Sequence, residues 1–167
     1  MRSVNLACIL SLFFFLDISN SIGQFVDPQK TIVGGLGNEF LSAASFAIIM
    51  GQYDEGIRLT HLGLNRYRPS MGDKAAALSN LCAAHAAKGE PDTAIPFCND
   101  SMDINGRNWR AFVNRAYSYY LKNMLSEATN DLDSAASLRP DARQVIQLRG
   151  MINERGLLPR VIMEDHQ

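Results

Sequence analysis

Apolar residues recur at every third or fourth position in six consecutive stretches between residues 40 and 138. This spacing predicts amphipathic helices, because 3.6 residues per turn bring such positions onto one face. Gly51, Gly89 and Asn123 each follow the first stretch of a pair. Glycine and asparagine tolerate the left-handed backbone conformation that closes a helix. The pattern therefore predicts a helix, a tight turn and a second helix, used three times.

A further helix is predicted after the third unit. Asp141 can cap this helix, and Val145, Leu148 and Ile152 form one apolar stripe opposite a polar face. A stack of helical repeats needs such a polar-backed helix at its end, because the last apolar surface would otherwise face water. We therefore expect residues 143–158 to form a capping helix.

Large, small and aromatic residues stand at matching positions in the three units. The third unit has Phe112, Ala116, Tyr119, Ala128, Leu132, Ala135 and Pro140 at these positions. The second unit has Leu78, Cys82, His85, Ala94, Cys98 and Ser101. The first unit matches least well, with Phe40, Ala44, Ala47, Gly56, Thr60 and Gly63. The spacing of the units and this order of residue types resemble the tetratricopeptide repeat.

The resemblance implies an all-α solenoid of three helix-turn-helix repeats that ends in the capping helix. The repeats are expected at residues 37–70, 75–108 and 109–142, and a tail at residues 159–167. Three residues depart from the pattern of the family, and one of them, Gly106, stands where the closing proline is expected. Pro96 lies one turn inside the second helix of repeat two, where it is expected to remove a hydrogen bond or to kink the helix. Arg115 replaces the usual apolar residue in repeat three.

The amino-terminal residues have the composition of a secretory signal peptide. Arg2 precedes an apolar run from Leu6 to Leu16, and small and polar residues follow as far as Gly23. That run is shorter than the roughly twenty residues that a membrane-spanning helix needs. We therefore expect residues 1–23 to be removed on export and residues 24–36 to form an irregular lead-in. The predicted location is a bacterial periplasm, with eukaryotic secretion as the alternative and no membrane span in the mature chain.

Charge and composition narrow the choice of partner. The formal net charge is −1 and the chain has no basic run, so neither nucleic acid nor an anionic membrane surface is expected to bind. The carboxylates are scattered at helical spacing, which is typical of solvated helix faces. We expect no cofactor and no enzyme activity, and the sequence does not indicate an oligomeric state.

Cys82, His85 and Cys98 are the candidates for thiol or metal chemistry. The resemblance implies that the two cysteines occupy core positions that face each other within repeat two. A disulfide is the favoured interpretation because export provides an oxidising environment. Two reduced core cysteines and a metal site are the alternatives. A thiol-redox or cysteine-dependent enzyme that uses these three residues is the alternative function, although a catalytic cysteine needs partial exposure and an oriented base.

The resemblance also implies a concave groove, lined by the first helix of each repeat, that binds a segment of another protein. The corresponding residues are Leu41, Ser45, Ile48, Ser79, Ala83, Ala86, Arg110, Val113, Tyr117 and Tyr120. Exposed tyrosine and arginine are enriched at binding hot spots, although the tyrosines could instead pack on the capping helix. One subclass of the family clamps the carboxylate end of chaperone tails with basic and asparagine side chains. Asn80 and Arg110 stand at matching places of that clamp. Leu41, Ser45 and Asn114 depart from it, so the clamp is not predicted here.

Overall fold

The computed structural model describes residues 38–157, which form seven α-helices and no strand. The helices are α1 (Glu39–Ile49), α2 (Tyr53–Arg66), α3 (Met71–Ala87), α4 (Pro91–Ile104), α5 (Trp109–Leu121), α6 (Leu125–Leu138) and α7 (Arg143–Leu157). They pair as α1 with α2, α3 with α4 and α5 with α6, and each pair packs on the next. The predicted all-α architecture of three helical pairs and a final helix is confirmed. The predicted signal peptide, lead-in and tail lie outside the described residues.

The same turn closes the first helix of each pair. Gly51, Gly89 and Asn123 have φ angles of 77°, 78° and 59°, in the left-handed region. Each donates its N–H to the carbonyl three residues earlier, and the next residue donates to the carbonyl five residues earlier, at 2.8–3.0 Å. These bonds satisfy carbonyl groups that a helix end leaves without a partner. The turn residues read from the sequence therefore fix the three helical hairpins.

Glycine allows the two helices of the first pair to approach closely. A Cβ atom at Gly56 would lie 2.4 Å from Cγ1 of Ile48, and one at Gly63 would lie 2.7 Å from Cδ2 of Leu41. Both isoleucine and leucine are buried at this contact. Any larger residue at these two positions of α2 would therefore push the helices apart.

Two of the departures from the repeat pattern, Pro96 and Arg115, are accommodated in the structure. The helix α4 continues through Pro96, whose side chain lies on an exposed part of the surface. Arg115 forms a two-pronged ion pair with Asp131 of α6, with both N–O distances 2.7 Å, and donates to Asn99 of α4 at 2.6 Å. The hydrogen bond to Asp131 raises the pKa of Arg115 in spite of its partial burial. Arg115 thus joins three helices where the family usually has an apolar contact.

The capping helix covers the third pair as predicted. Val145, Leu148 and Ile152 of α7 are buried and belong to the same core as Leu132 of α6. On the opposite side of α7, Ile146 is exposed. None of the helices within residues 38–157 has both the length and the apolar character that crossing a membrane requires.

Candidate peptide-binding groove

The helices α1, α3 and α5 are joined to one another by hydrogen bonds between asparagine and serine. Asn80 of α3 donates to Oγ of Ser45 on α1 at 3.0 Å. Asn114 of α5 donates to the carbonyl and to Oγ of Ser79 on α3, at 3.1 and 3.3 Å. All four side chains are buried. Buried polar groups that are paired in this way fix one register between the helices, because any other register would leave them without partners.

Eight of the side chains predicted to line the groove are buried in the structure. They are Leu41, Ser45, Ile48, Ser79, Ala83, Ala86, Val113 and Tyr117, and none is more than 6% exposed. In this structure these side chains take part in packing and do not form an open surface. Among the predicted residues, only Arg110 and Tyr120 are partly exposed. The part of the groove that a ligand could reach is therefore centred on α5.

Tyr120 is held against the capping helix. The guanidinium carbon of Arg155 lies 3.6 Å from the centroid of the Tyr120 ring, and Nη1 of Arg155 donates to the Tyr120 carbonyl at 2.8 Å. The rings of Tyr117 and Tyr120 are stacked with centroids 6.2 Å apart. Both tyrosines therefore contribute to the contact between α5 and its neighbours, which is the alternative role that the sequence allowed for them.

Arg110 lies in the first turn of α5 and forms a basic cluster with Trp109 and Arg139. The guanidinium carbons of Arg110 and Arg139 lie 4.9 and 5.5 Å from the centroid of the Trp109 ring. Among the described residues, the buried Nε of Arg110 has no hydrogen-bond partner. Burial lowers the pKa of Arg110, and the like charge of Arg139 lowers this pKa further. The cluster is therefore a concentration of positive charge with a free donor.

The start of α5 adds to this positive potential. No acidic residue lies in the first turn of the helix, and Asn108 makes no side-chain capping bond there. The carboxylate of Asp141 lies beside the cluster, with Oδ1 3.6 Å from Nε of Arg139. The amino-terminal end of a helix carries a partial positive charge. The arrangement suits a carboxylate from outside the described chain.

Trp109 and Arg139 were not predicted as site residues. A signal for them exists in the sequence, because Trp109 begins the first helix of repeat three and Arg139 directly follows the second. In an antiparallel helix pair those two ends are neighbours. The repeat frame was therefore sufficient to bring the chain's single tryptophan next to this arginine.

Cys82 and Cys98 lie between α3 and α4 and are both fully buried. Their Sγ atoms are 2.08 Å apart and their Cα atoms 5.3 Å apart, as in a disulfide. The carbonyl oxygen of Ala111 is 3.1 Å from Sγ of Cys98 and would accept a hydrogen bond from the Cys98 thiol only in the reduced protein. Neither sulfur offers a surface that a substrate could reach.

His85 is occupied by other contacts. Its Nδ1 lies 2.8 Å from Oε2 of Glu90, and its ring stacks on that of Phe97 at 5.4 Å. Within residues 38–157 there is no group of three or more histidine, cysteine, aspartate or glutamate side chains that could hold a metal ion. The three residues thus divide into a buried sulfur pair and a histidine that links α3 to the start of α4.

Solved structures that resemble this chain include three tetratricopeptide-repeat domains. The first such domain of Spaghetti (RPAP3), bound to the HSP90 peptide SRMEEVD, has a TM-score of 0.61 and 18% identity, over 70% of this chain and 91% of that one. The second domain of human RPAP3, in complex with the HSP70 peptide SGPTIEEVD, has a TM-score of 0.58 and 19% identity, over 68% and 92%. The P58(IPK) domain has a TM-score of 0.64 and 17% identity, over 73% and 35%.

No protein-family model and no curated protein sequence matches the chain at a significant level. The structural likeness, at identities below 20%, establishes the fold. The chain has the tetratricopeptide-repeat fold that its sequence predicted, an all-α architecture of helical repeats.

Proposed function

We propose that this protein is an exported scaffold that binds an acidic segment of another protein at the basic cluster of Arg110, Trp109 and Arg139. Two structures of the same fold hold peptides whose sequences end in Glu-Glu-Val-Asp, which supports a peptide as the class of ligand. The complete burial of both cysteines favours this binding role over thiol catalysis, because a catalytic cysteine needs partial exposure.

The free donor of Arg110 carries this proposal. A buried donor without an acceptor costs about 1–3 kcal/mol, and more when the group is charged. A carboxylate bound at Nε would remove this cost and form a charge-assisted hydrogen bond, which is about twice as strong as a neutral one. The second guanidinium, on Arg139, favours an anion at the same place. The neighbouring Trp109 ring provides an apolar surface for the rest of the segment.

The mode of binding is expected to differ from that of a chaperone-tail clamp. Asn80 and Asn114 both bond to serines of the preceding repeat. Leu41 is fully buried where the clamp has a lysine. We therefore expect recognition of acidic side chains or of a free carboxylate by the arginines, without the clamp's specificity for a single tail sequence.

Peptide binding measured by fluorescence polarisation tests the proposal. The probe is the labelled peptide SRMEEVD, compared with SRMQQVN carrying an amidated end. We expect the acidic peptide to bind more tightly, with an affinity that falls as salt is added. Arg110→Gln should weaken binding about tenfold or more, because charged hydrogen bonds contribute about 1.5–3 kcal/mol.

Arg68→Gln is the matched control, since Arg68 is exposed in the loop before α3 and its loss changes the net charge equally. The control should bind the acidic peptide as the unmodified protein does. Equal loss in both variants would show a general charge effect and would contradict the assignment to Arg110. Equal binding of the two peptides would contradict an acidic ligand.

Export is the second part of the proposal. The charged start, the apolar run and the small residues before Gln24 support it. Cys82 and Cys98 have Cα atoms 5.3 Å apart and could be joined, which agrees with export, because disulfides are rare in the reducing cytosol. A bacterial periplasm is the proposed location, and secretion from a eukaryotic cell is the alternative. A full-length precursor that stays with the cytosolic fraction and keeps Met1 would contradict export.

A further inference from the structure

The stretches that connect one helical pair to the next are rich in basic residues. Residues 63–74, 101–112 and 135–146 hold seven arginines and lysines and three aspartates. Residues 46–57, 84–95 and 118–129, which contain the turn inside each pair, hold two lysines and five acidic residues. The expectation that no anionic surface binds rests on the net charge of −1, which does not reveal this difference because the two sets nearly cancel.

Antiparallel packing brings the three basic stretches to one edge of the stack. Ser101, at the end of α4, donates to the carbonyl of Ala75, near the start of α3, at 2.7 Å. The end of α6 meets the start of α5, where Arg139 lies over the Trp109 ring. The helix α3 contacts both α1 and α5, and packed helices lie about 8–10 Å apart, so the stretches follow one another within roughly 20 Å. We name residues 63–74, 101–112 and 135–146 together the basic edge.

Most of the charge on the basic edge is not neutralised within the fold. At the opposite edge, Nζ of Lys88 lies 2.7 Å from Oδ1 of Asp54 on α2. Lys122 pairs in the same way with Asp92 on α4. Five exposed side chains of the basic edge form no ion pair among the described residues, and they are Arg66, Arg68, Lys74, Arg107 and Arg143. Their positive charge is therefore free to attract an anionic partner.

Large apolar side chains are exposed among these charges. Tyr67 and Met71, on the connection before α3, are 42% and 64% exposed, and Ile146, in the first turn of α7, is 62% exposed. Glu39 also lies at this edge and accepts a hydrogen bond from the Tyr67 hydroxyl at 3.1 Å. Aromatic rings at headgroup level and aliphatic side chains among acyl chains both strengthen binding to a bilayer surface. Aliphatic side chains cannot stack on bases as single-stranded nucleic acids require, so the combination favours lipid.

We propose that the basic edge docks the protein on an anionic membrane surface. The phosphate groups of acidic lipids bind the exposed arginines, while Tyr67, Met71 and Ile146 enter the interface between headgroups and acyl chains. Each basic side chain near such a surface strengthens binding about fivefold. This activity does not rest on the proposed peptide site, because its five unpaired basic side chains lie outside the cluster of Arg110, Trp109 and Arg139.

Sedimentation with lipid vesicles tests the proposal. The mature chain, from Gln24, is used because the apolar run Leu6–Leu16 would itself enter a bilayer. Vesicles of phosphatidylglycerol and phosphatidylcholine should bind the protein, vesicles of phosphatidylcholine alone should not, and added salt should release it. The triple variant Arg68→Gln, Arg107→Gln and Arg143→Gln should bind about a hundredfold more weakly. Circular dichroism should show unchanged helicity, because no ion pair between described residues is lost.

A second triple variant with the same change in charge is the matched control. Arg58→Gln, Lys122→Gln and Arg149→Gln remove three positive charges that lie outside the basic edge. The control should bind the anionic vesicles as the unmodified protein does. Equal loss of binding in the two variants would show a general charge effect and would overturn the proposal. Equal binding of the unmodified protein to both kinds of vesicle, or to neither, would also overturn it.

The position of Trp109 provides a second measurement, of which face meets the lipid. Trp109 is the chain's single tryptophan, and it is partly exposed on the basic edge. Phosphatidylglycerol with brominated acyl chains should quench its fluorescence. Binding without quenching would show that another face meets the membrane and would overturn the proposal. So would release of the protein from the vesicles by a single-stranded oligonucleotide at equal phosphate concentration, because the preferred partner would then be a nucleic acid.

Discussion

Reduction of the Cys82–Cys98 pair should lower the stability of the domain by about 3 kcal/mol. The two residues are 16 apart in sequence, and a cross-link that closes a loop of this length removes about 3 kcal/mol of chain entropy from the unfolded state. The Cα separation of 5.3 Å lies within the ordinary range for disulfides, so little native strain should oppose this gain. Stabilities of whole domains are about 5–15 kcal/mol, so the effect is a large one.

The assay is thermal unfolding followed by circular dichroism, with and without a phosphine reductant. A chain of this size changes its melting temperature by about 3–4 °C per kcal/mol, so reduction should lower the midpoint by about 10 °C. The double variant Cys82→Ala with Cys98→Ala is the control, and its melting temperature should not respond to reductant. Peptide mapping of exported, non-reduced protein should recover the linked pair.

Two results would refute this reasoning. Thiols that alkylate freely in unfolded, never-reduced protein would show that the pair is not oxidised. A linked pair whose reduction leaves the midpoint unchanged would show that the chain-entropy estimate does not apply here. In that second case the hydrogen bond from the reduced Cys98 thiol to the Ala111 carbonyl would be the first compensating contact to examine, because their separation is 3.1 Å.

Three further outcomes are expected. Gly56→Ala should destabilise the domain by about 1–3 kcal/mol in denaturant unfolding, because the new Cβ would lie 2.4 Å from Ile48. Gly150→Ala on α7 should instead stabilise the domain by up to about 1 kcal/mol, because no atom lies within 4 Å of its Cβ and alanine favours the helix. Glu90→Gln should lower the melting temperature at pH 6, because bonds to His85 and then Lys88 lower the pKa of Glu90 in the folded state. The stability that this lowered pKa provides is lost as the pH falls through it. At a pH well below the ordinary glutamate pKa of about 4.3, the substitution should therefore leave the melting temperature unchanged. The intact mass of the exported protein should correspond to a chain that begins at Gln24. A mass that still includes Met1 would contradict cleavage of the signal peptide.

The sequence was sufficient for the architecture because its turn residues and helix periods are local signals. Gly51, Gly89 and Asn123 close the first helix of each pair in the structure, as their residue types predicted. The apolar stripe of α7 was equally readable, since one face of a helix can be recognised without knowledge of its neighbours. Arg115 could not be interpreted in this way, because its partner Asp131 lies sixteen residues further along the chain.

The groove was harder to predict because accessibility depends on how closely neighbouring helices pack. Ala83 and Val113 stand at positions that the repeat pattern assigns to the concave side, yet both are fully buried. A repeat pattern gives the direction of a side chain from its own helix but not the distance to the next helix. The unpaired Nε of Arg110 could not be predicted from the sequence for the same reason. Whether this donor has a partner depends on which residues of neighbouring helices lie within hydrogen-bond distance of it.

The burial of the Cys82 and Cys98 sulfurs allows a measurement that distinguishes a scaffold from a thiol enzyme. Both sulfurs are fully buried between α3 and α4, which pack more extensively than any other described helix pair. A redox partner could reach them only if this middle repeat opened, and opening it would uncouple the repeats on both sides. Reduction of the native protein by dithiothreitol should therefore be slow and should accelerate at least a hundredfold in urea. Fast reduction of the native protein, at a rate that urea does not change, would instead favour the thiol-redox function over the scaffold.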